Sequence, residues 1–314
     1  MSENQINTNQ QERSSVLISG GSGLIGRYLT SVLLSEGYKV SHLSRKAGQS
    51  GKARVWKWDP EHNIIDPQAF DGVDCLIHLA GANIGEKRWT NKRKEVIQTS
   101  RVDSSRLLFK TINDNGINLK AFITASAIGY YGSVTTDKVF KEDDLPATDF
   151  LGTTCKMWEE AADQFEKSGI RTVKIRTAVV LEKNDSALSN LMKPARFGFL
   201  VKTGNGRQYM PWIHINDLCN IYLKAISDSE MAGVYNAVSP QHVTGREFIN
   251  TLAIVMKRNV FPIPVPAVVL RAVLGEMADV ILKGSRASSD KIKNAGYNFI
   301  YSNLQDALIN VINS

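Results

Sequence analysis

The chain has 314 residues, of which 43% are hydrophobic and 22% are charged, and its formal net charge is +7. These proportions are those of a soluble protein of one large or two modest domains, and no run of about 18 uninterrupted apolar residues predicts a membrane helix. Three widely spaced cysteines, Cys75, Cys155 and Cys219, indicate neither a disulfide framework nor a metal site. We therefore expect a cytoplasmic, metal-free protein.

Part of the positive charge is concentrated in one segment. Its basic residues are Lys87, Arg88, Lys92, Arg93, Lys94 and Arg101. Nucleic-acid binding is the first alternative for such a segment, but no helix-turn-helix, zinc-finger or RNA-binding motif accompanies it. We interpret the segment as a solvated helix face combined with a site for an anionic small molecule.

The first half of the chain alternates short apolar runs with amphipathic ones. Residues 1–14 are polar and are predicted to form a disordered tail. The predicted strands that follow are residues 16–19, 40–43, 54–58, 74–79, 121–125 and 173–176. A helix follows the first of these strands and ends at Gly37, and a second is predicted over residues 158–165. Alternating units of this kind predict the α/β class, with a Rossmann-type doubly wound parallel sheet.

After about Leu181 the chain is punctuated by proline and glycine. Strands are predicted over residues 209–215 and 234–237, and a helix over Ala267–Leu274. We expect residues 15–181 to form an NADP(H)-binding Rossmann domain, to which residues 207–238 return. Residues 182–206 and 239–314 are expected to form a smaller, discontinuous C-terminal substrate lobe, which closes over the carboxyl edge of the sheet.

A glycine-rich loop lies between the first strand and the first helix, with glycines at Gly20, Gly23 and Gly26. The first glycine permits a tight turn, the second a close approach to a pyrophosphate, and the third helix–strand packing. Unpaired N–H groups at the helix N-terminus, around Leu24 and Ile25, attract phosphate. Because the loop has the strand–turn–helix context that such a motif requires, it predicts a dinucleotide site.

The end of the second predicted strand indicates which dinucleotide is bound. NAD-binding proteins usually place an acidic residue there against the ribose hydroxyls, but this chain has Ser44 and Arg45. A guanidinium can grip a 2′-phosphate through two hydrogen bonds, which predicts NADP(H). After the fourth strand, the segment Leu79-Ala80-Gly81 is expected to lie along the nicotinamide half of the cofactor, because its small residues let the backbone approach.

These features resemble the extended short-chain dehydrogenase/reductases of the sugar-nucleotide epimerase and dehydratase type. More specific motifs resemble an atypical subgroup, named epimerase family proteins, that has an uncharacterised C-terminal domain. Those motifs are Arg88-Trp89-Thr90, Ser100-Arg101, Gly129-Tyr130-Tyr131-Gly132, Trp158-Glu159, residues 176–181, Gly204-x-Gly206-Arg207-Gln208 and Trp212-Ile213-His214-Ile215-x-Asp217. The resemblance implies that Glu95, Arg101 and Val179 also lie at the NADP(H) site. A homodimer is compatible with the helices that pair in many relatives.

The same resemblance exposes a departure from the usual chemistry. The superfamily uses a tyrosine, a lysine four residues later, and a serine or threonine to exchange a proton with substrate. In this chain those positions are occupied by Leu151, Cys155 and Ala127. Tyr131 and Ser126 are the candidate substitutes, although the pattern around Tyr131 favours packing under the nicotinamide or bracing a loop over catalysis.

The sequence leaves alternatives for substrate binding and for the overall function. We expect Arg207, Gln208 and His214 to bind substrate, with a structural role as the alternative for His214 in its apolar strand. The first functional hypothesis is an NADP(H)-dependent oxidoreductase or epimerase that acts on an unidentified small polar substrate. The alternative is a non-catalytic NADP(H)-binding sensor or regulatory protein, because loss of the triad with retention of the loop is what that function predicts.

Overall fold

A computed structural model of the protein describes residues 14–257 and 261–313. The disordered tail predicted for residues 1–14 lies, apart from residue 14, outside the described residues. Among the described residues, no helix combines the length and the apolar character needed to cross a membrane.

Strands and helices alternate through most of the chain. The strands are β1 (Ser15–Ser19), β2 (Lys39–Ser44), β3 (Gly48–Ser50), β4 (Ala53–Asp59), β5 (Ile64–Ile65), β6 (Cys75–His78), β7 (Ala121–Ala127), β8 (Val139–Phe140), β9 (Thr172–Thr177), β10 (Val179–Leu181), β11 (Phe199–Thr203), β12 (Trp212–His214), β13 (Gly233–Ala237), β14 (Phe261–Val265) and β15 (Arg286–Ala287). The helices are α1 (Leu24–Ser35), α2 (Asn91–Asp114), α3 (Phe150–Lys167), α4 (Ala187–Met192), α5 (Ile215–Ser227), α6 (Gly245–Val255), α7 (Ala267–Leu274), α8 (Ala278–Leu282), α9 (Asp290–Asn294) and α10 (Leu304–Asn313).

The central sheet has the strand order β13-β9-β7-β6-β1-β2-β4-β3, and β5 pairs with β4. The pairings from β13 to β4 are parallel, whereas β3 and β5 run antiparallel to β4. The chain leaves β1 toward β2 on one side and later returns to β6 on the other. This order confirms the predicted α/β doubly wound sheet, and it creates a crevice at the carboxyl ends of β1 and β6, where ligands bind in such folds.

The apolar run of β1 explains why this strand lies in the middle. Val16 and Ile18 point into the core between the sheet and α1, where they meet Leu29 and Leu33. Leu17, which alternates with them, points into the core on the opposite face. Because helices cover both faces of a parallel sheet, its inner strands are apolar throughout rather than alternating with polar residues.

The remaining strands form three small parallel pairs, β10 with β12, β11 with β14, and β8 with β15. A separate apolar core contains Leu181, Trp212, Phe248 and Leu308. The chain nevertheless returns to the main sheet after this region, because Ala287, Ile292 and Tyr297 join the core against α5. The domain boundaries proposed from the sequence stay a prediction.

The structure corrects some predicted bounds. The strand predicted over residues 209–215 is limited to Trp212–His214, because Ile215 already begins α5. The His214 side chain caps that helix by accepting from the Asn216 N–H. The helix predicted over residues 158–165 is longer at both ends and spans Phe150–Lys167. It begins earlier because the Asp149 carboxylate caps it by accepting from the Gly152 N–H. The helix predicted over Ala267–Leu274 is confirmed.

Candidate functional site

The glycine-rich loop leaves β1 and packs directly on the chain that leaves β6. Gly20 has a φ of 78°, and a Cβ built on it would lie 2.8 Å from the Ala80 backbone nitrogen. A Cβ on Gly26 would lie 2.4 Å from the Gly20 carbonyl oxygen. Gly20 therefore requires glycine for its backbone conformation and its close contact with Ala80. Gly26 requires glycine because α1 packs closely on the loop there.

The start of α1 presents backbone donors to this loop. Gly23 occupies the N-cap position without any side-chain cap, so the N–H groups of Leu24 and Ile25 have no acceptor within the helix. A Cβ on Gly23 would approach only the Gly20 carbonyl oxygen, at 3.3 Å. Free donors, the helix dipole and bare backbone together form a cradle that fits the pyrophosphate of a dinucleotide.

The end of β2 lies beside this cradle, because Leu43 is in register with Ser19 of β1. Ser44 is half-buried and Arg45 is exposed at the same edge. Beneath them, the His42 imidazole lies against Gly21, where an added Cβ would come within 2.5 Å of the ring. Basic and hydroxyl side chains, rather than a carboxylate, therefore occupy the position at which the sequence predicts a 2′-phosphate.

The end of β6 is held by a buried histidine. The His78 ring nitrogens lie 2.6 Å from the Ser19 hydroxyl oxygen and 3.1 Å from that of Ser104. Burial lowers the pKa of His78 to about 4, so the ring is neutral at pH 7. The Leu79 N–H donates to the Ser19 carbonyl oxygen at 3.0 Å. These contacts fix the first residues of the segment that follows β6 against the glycine-rich loop.

Arg101 lies on α2 next to that segment. Its Nη1 donates to the carbonyl oxygens of Ala82, at 3.1 Å, and Ile97, at 2.9 Å. Its guanidinium carbon lies 5.0 Å from the centroid of the Trp158 ring. Burial lowers the pKa of Arg101 to about 10, which leaves the side chain charged at neutral pH. Glu95, on the same helix, is exposed.

The residues at the three positions of the usual triad lie around the turn at Gly129. A Cβ on Gly129 would lie 3.4 Å from the Leu151 Cβ and 3.8 Å from the Cys155 Sγ. Ala127 ends β7, immediately before that turn. Burial raises the pKa of the Cys155 thiol to about 12, so it is neutral. These three side chains therefore offer no group that exchanges a proton at neutral pH.

The two candidate substitutes lie in a buried network. The Ser126 hydroxyl donates to the Glu159 carboxylate at 2.6 Å. Arg176 grips that carboxylate through Nε at 2.8 Å and Nη2 at 2.9 Å. The Arg176 Nη1 also donates to the Tyr131 hydroxyl, which in turn donates to Asn236 Oδ1 at 2.8 Å. The structure thus brings Ser126 and Tyr131 together through shared partners.

Access to these hydroxyls is limited. Tyr131 is 1% exposed and Ser126 is 3% exposed. Burial raises the pKa of Tyr131, although the Arg176 guanidinium opposes this shift. Burial lowers the pKa of Arg176, but the bonds to Glu159 more than offset this and raise it overall. No motif in the sequence predicted this network; the pattern that could have done so is the pair of basic residues, Lys174 and Arg176, alternating with Val173 and Ile175 in β9, because a buried charge requires a partner.

The residues predicted to bind substrate do not form one cluster. Arg207 is exposed, whereas the Gln208 amide nitrogen is buried and donates to Thr203 Oγ1 at 2.7 Å. His214 is 1% exposed and stacks on Tyr301, with the ring centroids 3.9 Å apart. Burial lowers the pKa of His214 to about 4. The hydrogen bonds of Gln208 and His214 thus favour structural roles, while the exposed Arg207 is accessible to a ligand.

Val179 is the last residue that the resemblance assigns to the cofactor site. Val179, at the start of β10, is half-buried, and its N–H donates to the Pro211 carbonyl oxygen at 3.1 Å. In the part of the chain that the structure describes, no three His, Cys, Asp or Glu side chains are grouped so as to hold a metal ion.

Known proteins are similar to this chain in both sequence and fold. Residues 16–237 match the NAD dependent epimerase/dehydratase family, and residues 265–311 match a domain of unknown function, DUF1731. An epimerase family protein of Mycobacterium leprae is 34% identical over 93% of this chain and 94% of its own length. The epimerase family protein YfhF of Bacillus subtilis is 35% identical over 95% of this chain and 97% of its own length.

Solved structures agree with these matches. The human epimerase family protein SDR39U1, determined with NADPH, has a TM-score of 0.84 and 29% identity, covering 95% of this chain and 99% of that one. UDP-glucuronic acid 4-epimerase from Bacillus cereus, determined with UDP-glucuronic acid and NAD, has a TM-score of 0.78 at 20% identity, covering 95% and 99% of the two chains, and shows the shared fold. The chain therefore belongs to the NAD dependent epimerase/dehydratase family, among the epimerase family proteins.

Proposed function

We propose that the protein binds NADP(H) in preference to NAD(H) and acts as an oxidoreductase or epimerase on a small polar substrate. The observation that carries this proposal is the cradle at the start of α1, which lies beside Ser44 and Arg45. An exposed guanidinium at that point attracts a 2′-phosphate, whereas a carboxylate would repel it. The NADPH bound to the human relative also supports the preference.

The chain holds the cofactor through separate parts of the site. The N–H groups at the start of α1 would bind the pyrophosphate, and Ser44 with Arg45 would bind the 2′-phosphate. Small residues at Ala80 and Gly81 would let the backbone lie along the nicotinamide half. When bound, the cofactor supplies a hydride donor or acceptor.

The protein's own contribution to proton transfer departs from that of the superfamily. Leu151, Cys155 and Ala127 offer no proton, and the hydroxyls of Ser126 and Tyr131 are engaged in the buried network. We therefore propose that water or a group on the substrate exchanges the proton. The protein would then position the reactants and exclude bulk water rather than act as an acid or base.

A second function, a non-catalytic NADP(H) sensor, is favoured by one further observation. The chain after β6 and the start of α2 contact the C-terminal region directly. A Cβ on Gly275 would lie 2.8 Å from the Arg88 Nε, and Lys94 forms an ion pair with Glu276. These contacts connect the segment that follows β6 to the C-terminal region, and a connection of this kind is what transmission of a binding event to a partner requires.

The cofactor preference is tested by Arg45→Ala. We expect the affinity for NADPH to fall by roughly ten- to a hundredfold, the usual effect of losing hydrogen bonds to a charged group. The affinity for NADH, which has no 2′-phosphate, should not change. Arg106→Ala, which removes an exposed arginine from α2, is the control. An unchanged preference for NADPH over NADH after Arg45→Ala would contradict the proposal.

The enzyme and sensor functions are separated by a single-turnover experiment. The purified protein is loaded with NADPH, and a small-molecule extract of the source cells is added while nicotinamide absorbance is followed. Protein-dependent oxidation of NADPH establishes an oxidoreductase. Tight binding without oxidation rules out an oxidoreductase for the substrates in that extract and favours the sensor, leaving a redox-neutral epimerase to be tested separately.

We also propose a cytoplasmic location. Cys75, Cys155 and Cys219 are all free and buried, which suits a reducing compartment. Subcellular fractionation tests the location, and recovery of the protein in an oxidising compartment would contradict it.

A further inference from the structure

Arg101 is a half-buried cation without an anionic partner in the described chain. Its guanidinium donates to two carbonyl oxygens and lies over the face of the Trp158 ring. No carboxylate within the described ranges lies within ion-pair distance of it. Desolvating a guanidinium without a counter-ion is unfavourable, so a charge held in this way indicates that a bound anion completes the site.

The groups around Arg101 add no compensating negative charge. The Cys155 thiol is neutral because burial raises its pKa to about 12. Glu159, on the same helix as Cys155, is neutralised by its paired bonds to Arg176. Arg93 adds a second positive charge nearby, which the ion pair with Glu86 at 2.9 Å balances.

Glu95 is the remaining acidic residue assigned to this part of the site. It is exposed, so water and salt screen its charge strongly. Trp158 adds an independent sign of an incomplete site, because its indole Nε1 is buried and has no hydrogen-bond partner among the described residues. The surroundings of Arg101 are thus electropositive and able to accept a further group.

Arg101 lies beside the segment along which we expect the nicotinamide half of the cofactor to bind. A Cβ on Gly81 would lie only 3.1 Å from its guanidinium carbon, and Gly81 belongs to the segment along which that half is expected to lie. The phosphates are anionic in both redox states of the cofactor, so Arg101 attracts them equally. The nicotinamide ring, in contrast, is cationic only when oxidised.

We propose that Arg101 makes this protein bind NADPH more tightly than NADP⁺, because its charge repels the oxidised ring alone. This inference rests on the proposed function, which brings NADP(H) to this site. At an effective dielectric constant of about 20, two unit charges roughly 10 Å apart change an affinity by about tenfold. A preference of that size suits either a reductase that is charged with NADPH or a sensor of the NADPH/NADP⁺ ratio.

The test measures two dissociation constants for each variant. NADPH is titrated by its fluorescence, and NADP⁺ by displacement of bound NADPH. For the wild-type protein we expect NADPH to bind about tenfold more tightly than NADP⁺. In Arg101→Gln this ratio should approach one, while Arg101→Lys, which keeps the charge, should retain most of it. Arg106→Gln removes an exposed arginine from the same helix and should leave the ratio unchanged.

Different results refute different proposals. If the wild-type protein binds neither NADPH nor NADP⁺, the proposed function fails, and the inference fails with it. If the wild-type protein binds both equally, or if folded Arg101→Gln keeps the wild-type ratio, only the inference fails. The wild-type ratio needs no variant, so the inference can be refuted even if Arg101→Gln does not fold, and thermal unfolding monitors the fold of each variant.

Discussion

The buried ion pair between Glu159 and Arg176 supports a direct test by Glu159→Gln. The two side chains are 8% and 2% exposed, and two charge-assisted hydrogen bonds of 2.8 and 2.9 Å join them. Glutamine keeps the volume but not the charge. The guanidinium would then keep as acceptors one neutral amide oxygen, the Tyr131 hydroxyl and the Glu142 carbonyl oxygen, with no negative charge beside it. Breaking a buried pair in this way lowers the free energy of unfolding by about 3–5 kcal/mol.

The assay is urea unfolding at pH 7, followed by circular dichroism and tryptophan fluorescence. Glu160→Gln is the matched control, because Glu160 is the next residue on the same helix and its side chain is 58% exposed in an ion pair with Lys156. An exposed pair contributes little, so the control should lose less than about 1 kcal/mol.

A double variant, Glu159→Leu with Arg176→Met, removes both charges together. It should be less destabilised than the sum of the two single substitutions, because neither charge is left buried alone. The reasoning is refuted if Glu159→Gln is as stable as Glu160→Gln. It is also refuted if the losses of the two single variants simply add in the double variant.

Two further predictions concern the loop and the buried histidines. Gly26→Ala places a methyl group 2.4 Å from the Gly20 carbonyl oxygen, so we expect a loss of roughly 1–3 kcal/mol of stability and a large loss of NADPH affinity by titration. Gly85→Ala, whose added Cβ would approach only a side-chain oxygen at 3.6 Å, should behave as the wild type, and equal behaviour of the two variants would contradict the packing argument. Burial lowers the pKa of both His78 and His214 to about 4, so below pH 6.5 the unfolded chain takes up protons before the folded one does. The free energy of unfolding should therefore fall as pH decreases from 6.5 to 4, and equal values at pH 6.5 and 4.5 would count against the buried neutral state of these rings.

Much of the fold was predictable because its determinants are local. Fully apolar runs such as residues 16–18 indicate inner parallel strands, and helical spacing after Gly23 indicates α1. The requirement for glycine at Gly20 and Gly26 was also predictable, since each follows from a strand–turn–helix geometry confined to one short segment. The bounds of β12 were less predictable, because helix capping by His214 competes with the apolar pattern that favours a strand.

The candidate site was only partly predictable for the same reason. The sequence identifies Tyr131 and Ser126 as the hydroxyls left near the lost triad, but it does not reveal that both are buried. That result depends on Asn236, which is distant in the chain and accepts the Tyr131 hydroxyl, and on Arg176, which fills the space between them. The roles assigned to Arg45 and Arg101 remain predictions.

The sequence by itself determined the doubly wound sheet, the glycine cradle and the absence of a tyrosine–lysine pair at residues 151 and 155. These properties depend on residue identity and on short-range periodicity. Only the tertiary structure decided which charges are paired and which are left alone, as in the contrast between Arg176 and Arg101. The physical reason is that burial and hydrogen-bond partners are set by packing between elements far apart in the chain, and no local pattern encodes which side chain will fill a given space.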